Sequence, residues 1–395
     1  MYSVYIQTAP LGDEYKQVMY KSGTLYEYEN KAPLLYLNLF PTELNGIHIK
    51  PTVNKIKVLD LDNNEVFWGR IINEPVEMIQ SDGTFFQYIT AEGPLNFLLD
   101  RLALKWEFHP GTYTSEVESG ARDKPVILEN QTVKTALTKL IELHYNGANN
   151  EEQIHIIDTN ITVEDSVYFT TQRSDTLLSV IQNKIIKSKG GYMYITKDTT
   201  SGFLQLHYDA ENNKVGPDIV IGKNILTYNR YSPGTPYYNR VTAIGEKGLT
   251  MTGRLGGGPV YVEDTSGVNQ YGVRETYVEY PDVIDPNNLY SKADIYLREV
   301  NKTALSSFEL QVLDTSFILE DAGYEISQVC KVSCGNIPGV STRARIIEIS
   351  RALESPHKVK LTLTKKSPSA IANNVDTELE LQNLKSQIQS IEDRL

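Results

Sequence analysis

Residues that could carry catalysis occur in this chain of 395 residues, but their spacing forms no known catalytic motif. None of the six histidines lies within four residues of another, and no HExxH, GxSxG, P-loop or CxxC pattern occurs. His144 falls on the apolar face of a predicted helix, which favours a hydrogen-bonded core or interface histidine over a metal ligand or a base. The sequence therefore predicts no catalytic residue, no metal site and no cofactor.

Carboxylates are frequent enough to pair by chance, since the chain has 50 Asp and Glu residues. The pairs Glu74 with Glu77 and Glu116 with Glu118 have the residue types of a glycosidase acid and base. That chemistry requires two carboxyl groups about 5 to 10 Å apart across a cleft, which spacing within loops does not establish. We therefore interpret these pairs as solvated surface residues.

A glycine-rich segment is the other motif that could hold a ligand. It lacks the following Lys-Ser/Thr of a phosphate-binding loop. We therefore predict a mobile loop that contains Gly253, Gly256, Gly257 and Gly258.

Side chains alternate between the two faces of a strand, so Cys330 and Cys334 lie on the same face of a predicted strand. Residues four apart in a strand lie about 13 Å from each other, which is too far for an unstrained disulfide. The sequence therefore predicts two buried free thiols. Metal ligation, the alternative, lacks further ligands nearby.

Charge and composition limit the function further. The formal net charge is −12 and the sequence pI is about 5.1, which disfavours a surface that grips nucleic acid through its phosphates. If the protein formed a ring around DNA, acidic side chains facing the channel would repel the duplex. Improved solubility is the alternative role for the negative charge. The sequence contains no run of about 18 apolar residues and no basic start followed by an apolar stretch, so we expect no membrane insertion, no secretory signal and folding in the cytoplasm. The 25 tyrosines suit a β-rich protein with protein partners.

The elements that position these residues fall into β-rich and α/β segments. Short strands separated by turn residues predict a first β domain at 1–104, completed by about 209–235. Alternating helices and strands predict an α/β insert at 105–208, and returning strands predict a second β domain at 236–365. The fold class is thus α+β, mainly β.

Three helices stand out within these segments. The second is predicted to begin at an N-cap on Ser174 or Asp175, and the third opens at Asp285-Pro286 and runs near 286–304. The first has one amphipathic stripe: Val133, Ala136, Leu137, Leu140, Ile141 and His144.

The last segment, 366–395, is predicted to be a linker followed by a short C-terminal helix that begins a coiled-coil stalk. Its apolar residues are spaced 3, 4, 3, 4, which is the a/d pattern of a heptad repeat. We expect these residues to make the stalk contacts between subunits: Leu381, Leu384, Ile388, Ile391 and Leu395.

Several blocks of sequence resemble the tail-tip hub proteins of long-tailed phages and prophages, a family also named tail-associated lysin or prophage endopeptidase tail protein. QTVKTALTKLIELHYN and VYFTTQRSDTLLSVIQNKIIKSKGGYMYI are similar to its helical insert, although Tyr145 interrupts the usual His-Asn pair. IGKNILTYNRY, YYNRVTAIG and YGVRETYVEYPDVIDPNNLYSKADIYL resemble the stretch that leads into its second β domain.

The resemblance implies a homotrimer at the virion tail tip, similar to the baseplate hub of contractile phages. Each subunit of that family has two related β-barrel-like domains, so three chains present six to a hexameric distal tail protein. Further implied partners are the end of the tape-measure protein in the lumen, receptor-binding proteins or fibres, and phage DNA only in transit. Lytic activity in this family belongs to domains that follow the hub, so we expect no enzyme.

Two alternatives come from other functional classes. A cell-wall-degrading tail lysin would require convergent carboxylates or a metal site. A host-surface, carbohydrate-binding tip protein would require aromatic residues exposed in loops: Tyr228, Tyr231, Tyr237 and Tyr238.

Overall fold

A computed structural model gives the architecture of most of the chain. It describes residues 2–9, 14–44, 47–79, 85–105, 124–125, 127–145, 152–162, 166–171, 174–186, 189, 191–198, 201–209, 215–231, 238–254, 257–280, 283–303, 307–314, 323–333 and 341–364. Within these residues strands predominate over helices, which confirms the mainly β, α+β class.

The first β region consists of eight strands and a short 3-10 helix, Pro94–Leu99. Asp60 closes the hairpin at 55–71, because its carboxylate accepts hydrogen bonds from the backbone N–H groups of Asp62 and Asn64 at 2.9 and 2.8 Å. The strands are β1 (Ser3–Gln7), β2 (Tyr15–Val18), β3 (Tyr20–Tyr28), β4 (Leu34–Leu39), β5 (Lys55–Leu59), β6 (Glu65–Ile71), β7 (Val76–Ile79) and β8 (Phe85–Glu92).

The α/β insert packs two helices against short sheets. Helix α1 (Val133–Tyr145) buries all six residues of its predicted stripe. Helix α2 (Leu177–Val180) continues as a π-helical turn, Ile181–Ile186. The strands are β9 (Leu104–Lys105), β10 (Lys124–Pro125), β11 (Ile127–Thr132), β12 (Ile154–Ile161), β13 (Ser166–Thr170), β14 (Tyr192–Lys197) and β15 (Leu204–Asp209).

The predicted N-cap of the second helix was wrong. Thr176 caps α2, because its hydroxyl accepts a hydrogen bond from the backbone N–H of Ser179 at 3.2 Å. The carbonyl of Asp175 instead accepts a hydrogen bond from the backbone N–H of Ala103 at 2.8 Å, which holds Asp175 in an extended connection before the helix.

The second β region adds nine strands and two helices, α3 (Thr265–Tyr271) and α4 (Pro286–Thr303). Asp285 caps α4 through the backbone N–H of Asn288 at 2.9 Å, which confirms the predicted start of this helix. The strands are β16 (Ile219–Val220), β17 (Ile225–Tyr231), β18 (Arg240–Ile244), β19 (Tyr261–Glu263), β20 (Glu275–Glu279), β21 (Ser307–Leu313), β22 (Val329–Ser333), β23 (Ser341–Ala352) and β24 (Lys358–Thr364).

One 14-stranded sheet joins the two β regions. Its main path runs β17-β21-β24-β23-β3-β4-β8-β6-β5-β1-β2, with β7 beside β8 and β22 beside β23. Antiparallel pairing of β3 with β23 places Leu25 opposite Arg351 and Glu27 opposite Ile349. The described strands form this open sheet rather than a closed barrel, and β18, β19 and β20 form a separate three-stranded sheet. The domain boundaries drawn from the sequence stay predictions.

Four apolar clusters support these layers. One spans the insert and the adjoining part of the first β region, including Trp68 and Phe97. Another lies under the first β region and a third under β21 to β24, while α4 covers the three-stranded sheet with an apolar face. Cys330 is a buried free thiol in the third cluster, as predicted, and burial raises its pKa to about 12. Cys334 lies outside the described residues.

Candidate functional site

The turn after β3 is the place where three parts of the chain meet. Asn30 has a positive φ of 61°, a conformation that asparagine tolerates better than most residues. Its side-chain amide donates to the carbonyl of Gly191 at 3.1 Å, and its side-chain oxygen accepts from the backbone N–H of Met193 at 2.7 Å. Gln182 donates to the carbonyl of Asn30 at 2.8 Å. These three bonds fasten the first β region to the insert.

Glu29, the preceding residue, fastens the same turn to the second β region. Its Oε1 accepts hydrogen bonds from the hydroxyl of Ser327 at 2.6 Å and from Arg345 at 3.3 Å. Its side chain is fully buried, and Oε2 has no hydrogen-bond partner among the residues that the structure describes. Burial raises the pKa of Glu29, although Ser327 and Arg345 oppose that shift. We call Glu29 and Asn30 the three-way junction.

A buried arginine reinforces the contact between the two β regions. Arg351 on β23 forms ion pairs with Glu27 at 3.2 Å and with Asp314 at 2.9 Å. Burial opposes the charge on Arg351, but the two carboxylates outweigh burial and raise its pKa. Removing either carboxylate would leave the buried guanidinium with only one ion-pair partner.

The insert is also attached to the first β region by charged and aromatic residues. Lys55, which is almost fully buried, forms an ion pair with Glu152 of the insert. Its ammonium lies 5.3 Å from the ring centroid of Phe97, and the ammonium of Lys197 lies 4.6 Å from that of Trp68. These contacts and the three-way junction hold the insert at two separate places.

The face of the large sheet opposite its core displays a cluster of tyrosines. We call Tyr26, Tyr28, Tyr36 and Tyr88 the tyrosine face. Tyr26 stacks on Tyr28 with ring centroids 6.2 Å apart and meets Tyr36 edge-on at 5.6 Å, while Tyr36 stacks on Tyr88 at 6.2 Å. Burial raises the pKa of Tyr28 and of Tyr36, so both rings stay neutral near pH 7.

Polar residues continue this surface across the pairing of β3 with β23. Tyr28 lies opposite Glu348, and Lys360 forms an ion pair with Glu309. Glu309 and Lys360 also line a depression of about 180 Å³. We call the following residues the polar strip: Thr227, Asn229, Glu309, Gln311, Glu348 and Lys360.

The glycine loop lies beside α4, where Arg254 holds its described part. The guanidinium of Arg254 lies 4.1 Å from the ring centroid of Tyr290 and donates to the carbonyl of Gly257 at 2.8 Å. Gly258 has a φ of 136°, and a Cβ there would lie 2.0 Å from the guanidinium of Arg254, so this position requires glycine. Gly253 is described as well, Gly256 is not, and mobility of the loop stays a prediction.

The predicted stalk residues cannot be placed in this arrangement, since all five lie outside the described residues. Their role in subunit contacts stays a prediction: Leu381, Leu384, Ile388, Ile391 and Leu395.

The described residues contain no group of three or more His, Cys, Asp or Glu side chains that could hold a metal ion. Glu74 and Glu77 are exposed, as predicted, while Glu116 and Glu118 lie outside the described residues. His144 is buried, with Nε2 2.8 Å from the carbonyl oxygen of Glu152, and burial lowers its pKa. His144 is therefore the hydrogen-bonded core histidine that the sequence predicts.

Two further findings concern membranes and surface aromatics. The helices in the described part of the chain are too short or too polar to cross a bilayer. Tyr228 is half-buried against the cluster under β21 to β24, and Tyr238 is also half-buried. The side chain of Tyr231 and all of Tyr237 lie outside what the structure describes.

Comparison with solved structures identifies the architecture. A 43 kDa tail protein of prophage MuSo2 from Shewanella oneidensis superposes with a TM-score of 0.61 at 14% identity, covering 94% of this chain and 99% of that one. The fold is shared. This chain has the fold of prophage tail proteins. A tail protein from Neisseria meningitidis MC58 matches with a TM-score of 0.61 at 11% identity, covering 92% and 96% of the two chains.

A third structure with the tail-protein fold is the prophage tail protein gp18 from Listeria monocytogenes EGD-e, with a TM-score of 0.54 at 11% identity. It covers 96% of this chain and 99% of that one. No family profile matches the sequence, and no curated protein matches it. The resemblance drawn from short sequence blocks is thus confirmed as a likeness of fold.

Sequence reasoning missed the three-way junction of this tail-protein fold. A Glu-Asn pair at the end of a strand indicates a turn, and that signal was available. It does not indicate that the carboxylate is buried against Ser327 or that Asn30 binds the insert, because both partners are far away in the sequence.

Proposed function

We propose that the chain is a structural, non-enzymatic hub at the tail tip of a phage or prophage. Three copies would close the end of the tail tube beneath a hexameric distal tail protein and open for passage of DNA. The observation that carries this proposal is the tail-protein fold, which is shared over 94% of this chain and 99% of the Shewanella prophage protein.

The joined sheet supports a hub role. Pairing of β3 with β23 and the ion pairs of Arg351 make the two β regions one continuous layer. A subunit of this kind holds its two β regions in a fixed relative orientation. Three such subunits would present six β regions to the six positions of a ring above them. The predicted stalk, Leu381 to Leu395, would then bring the three C-terminal segments together on the axis.

The polar strip and the tyrosine face are the surface that we propose lines the passage. The polar strip contains two carboxylates, Glu309 and Glu348, and one cation, Lys360. The ammonium of Lys360 already forms an ion pair with Glu309. DNA-binding surfaces hold phosphates with free Lys and Arg side chains, so this surface offers the duplex little to hold. The tyrosines beside it are neutral, and the ammonium of Lys31 lies 5.7 Å from the ring centroid of Tyr28 at one end of the tyrosine face.

The remaining partners follow from the same proposal. The end of the tape-measure protein would occupy the lumen before ejection, and receptor-binding proteins or fibres would attach around the tip. DNA would be in contact only in transit. The protein would fold in the bacterial cytoplasm and stay in the virion tail tip.

The test is the mass of the purified protein by light scattering coupled to size exclusion, followed by electron microscopy of the same peak. We expect about three times 44.5 kDa and particles with three-fold symmetry around a central opening. A monomer at every concentration, alone and with the distal tail protein, would contradict the hub. Peptidoglycan cleavage by the pure protein would contradict the non-enzymatic role.

A further inference from the structure

Strand β7 exposes every one of its residues, which is unusual for part of a large sheet. Val76, Met78 and Ile79 are 50%, 45% and 74% exposed. One edge of β7 pairs with β8, from Val76 opposite Tyr88 to Ile79 opposite Phe85. No described strand pairs with its other edge. An apolar edge strand of this kind is a template for a further strand.

Strand β2 forms another edge of the same sheet, and that edge is protected against pairing with a further strand. Strand β2 carries Lys16, whose ammonium donates to the carbonyl of Glu43 at 2.9 Å. The carboxylate of Glu43 accepts a hydrogen bond from the backbone N–H of Met19 at 2.9 Å, just after the strand. A charged edge covered by a loop disfavours strand addition. β7 has no such protection among the described residues.

Strand β17, at the opposite end of the sheet, provides a matching edge. It pairs with β21 on one side; on the other side an isolated bridge joins Ile225 to Ile221, and the rest of the strand pairs with no described strand. Leu226 is 44% exposed, and Thr227 and Asn229 are exposed beside it. With seven residues, β17 is long enough to pair with all four residues of β7. The sequences are also opposite in charge, since β7 contains Glu77 and β17 contains Arg230.

We infer that β7 of one copy adds to the free edge of β17 of the next copy. This inference rests on the proposed homotrimer and names its subunit contact. A contact between two different edges is heterologous, and three such contacts close into a ring. Pairing of β7 with β7 would instead give a two-fold dimer. The added strand would cover Val76, Met78 and Ile79 and satisfy both backbone edges.

Cysteine cross-linking tests the contact directly. Paired residues on neighbouring antiparallel strands have Cβ atoms about 4.5 to 5.5 Å apart, close enough for a disulfide to form after a small adjustment. We would combine Met78→Cys with Thr227→Cys, and separately with Asn229→Cys, so that two registers are sampled on the face of the sheet that carries the tyrosines and the polar strip. The matched control combines Met78→Cys with Gln17→Cys on the protected edge β2. All variants keep the natural cysteines.

After mild oxidation, we expect covalent dimers and trimers on a non-reducing gel for at least one β7–β17 variant, and neither for the control. If light scattering shows trimers but neither variant cross-links between chains, the contact is wrong while the hub proposal stands. If every variant and the wild type are monomers, both proposals are overturned.

A second variant makes the test independent of disulfide geometry. Ile79→Lys places a charge on the unprotected edge, and Leu61→Lys, at another apolar position that is 63% exposed, is its control. Both side chains are already exposed, so circular dichroism should match that of the wild type. We expect at least a tenfold weaker trimer for Ile79→Lys alone. An equally stable trimer in both variants would overturn the inference.

Discussion

The side-chain oxygen of Asn30 accepts a 2.7 Å hydrogen bond from the backbone N–H of Met193, a residue 163 positions further along the chain. Together with the neighbouring Glu29, it makes one turn responsible for holding the insert and the second β region against the first. Two adjacent side chains therefore contribute to the orientation of all three parts, beside the pairing of β3 with β23 and the ion pair of Lys55.

Replacing Asn30 by Ala is expected to destabilise the fold by about 3 kcal/mol, because it leaves the Met193 N–H and the Gly191 carbonyl without partners. It also places Ala at a positive φ. Asn63→Ala is the matched control, since Asn63 has a φ of 64° in an exposed turn and should lose only about 1 kcal/mol. Urea unfolding measures both values; equal losses would contradict the junction.

The buried carboxylate of Glu29 predicts a pH dependence. Because burial raises the pKa of Glu29 in the folded state, the folded chain holds this proton more tightly than the unfolded chain. The contribution of Glu29 to stability is therefore fully present below the unfolded pKa of about 4.3 and is lost as the pH rises through the raised folded pKa.

Urea unfolding of the wild type and of Glu29→Gln between pH 4 and pH 8 checks this sign. The wild type should lose stability relative to the variant as the pH rises. A constant difference between the wild type and Glu29→Gln would rule the prediction out.

Gly258→Ala is expected to displace Arg254 from Tyr290, because the new methyl group would overlap the guanidinium. The loss should be about 1 to 3 kcal/mol, as for other strained backbone positions. Gly253→Ala is the control, since a Cβ there would meet only Pro286 at 3.4 Å. Thermal unfolding should separate the two variants, and equal melting temperatures would show that Arg254 does not fix this loop.

Replacing both Leu384 and Ile391 by Asp should loosen the stalk without unfolding the β regions, whose apolar clusters lie elsewhere. The mass from light scattering should fall or become concentration-dependent, while the circular dichroism spectrum stays that of the wild type. Ser386→Asp combined with Gln389→Asp, between the seam positions, provides the control. Broad loss of structure in the seam variant would show that these residues belong to a core instead.

The parts of the fold that local sequence determines were predicted well. Helices α1 and α4 each have a regular apolar stripe with the period of an α-helix. Helix α4 also has a capping Asp before Pro286, so its stripe and its cap predict the same start. The N-cap of α2 was predicted wrongly because several neighbouring polar residues could cap the helix. The hydrogen bond between the Asp175 carbonyl and the Ala103 N–H, a tertiary contact, decides which of them does.

The long-range features could not be predicted in the same way. Pairing of β3 with β23 depends on matching edges more than 300 residues apart, and nothing within either strand names its partner. Glu29 and Lys55 are residue types that are rarely buried, so their positions in the core follow from Ser327, Arg345 and Glu152 rather than from any periodic pattern.

Because Glu27 of β3 pairs with Ile349 of β23, this part of the sheet can form only after β23 has been synthesised. At about 5 to 20 residues per second, a ribosome reaches β23 some 15 to 65 seconds after it has made β3. During that interval the edge of β3 has no neighbour and is open to other nascent chains. A chain that ends before β23 would keep this edge of β3 exposed, so completing translation also completes the sheet.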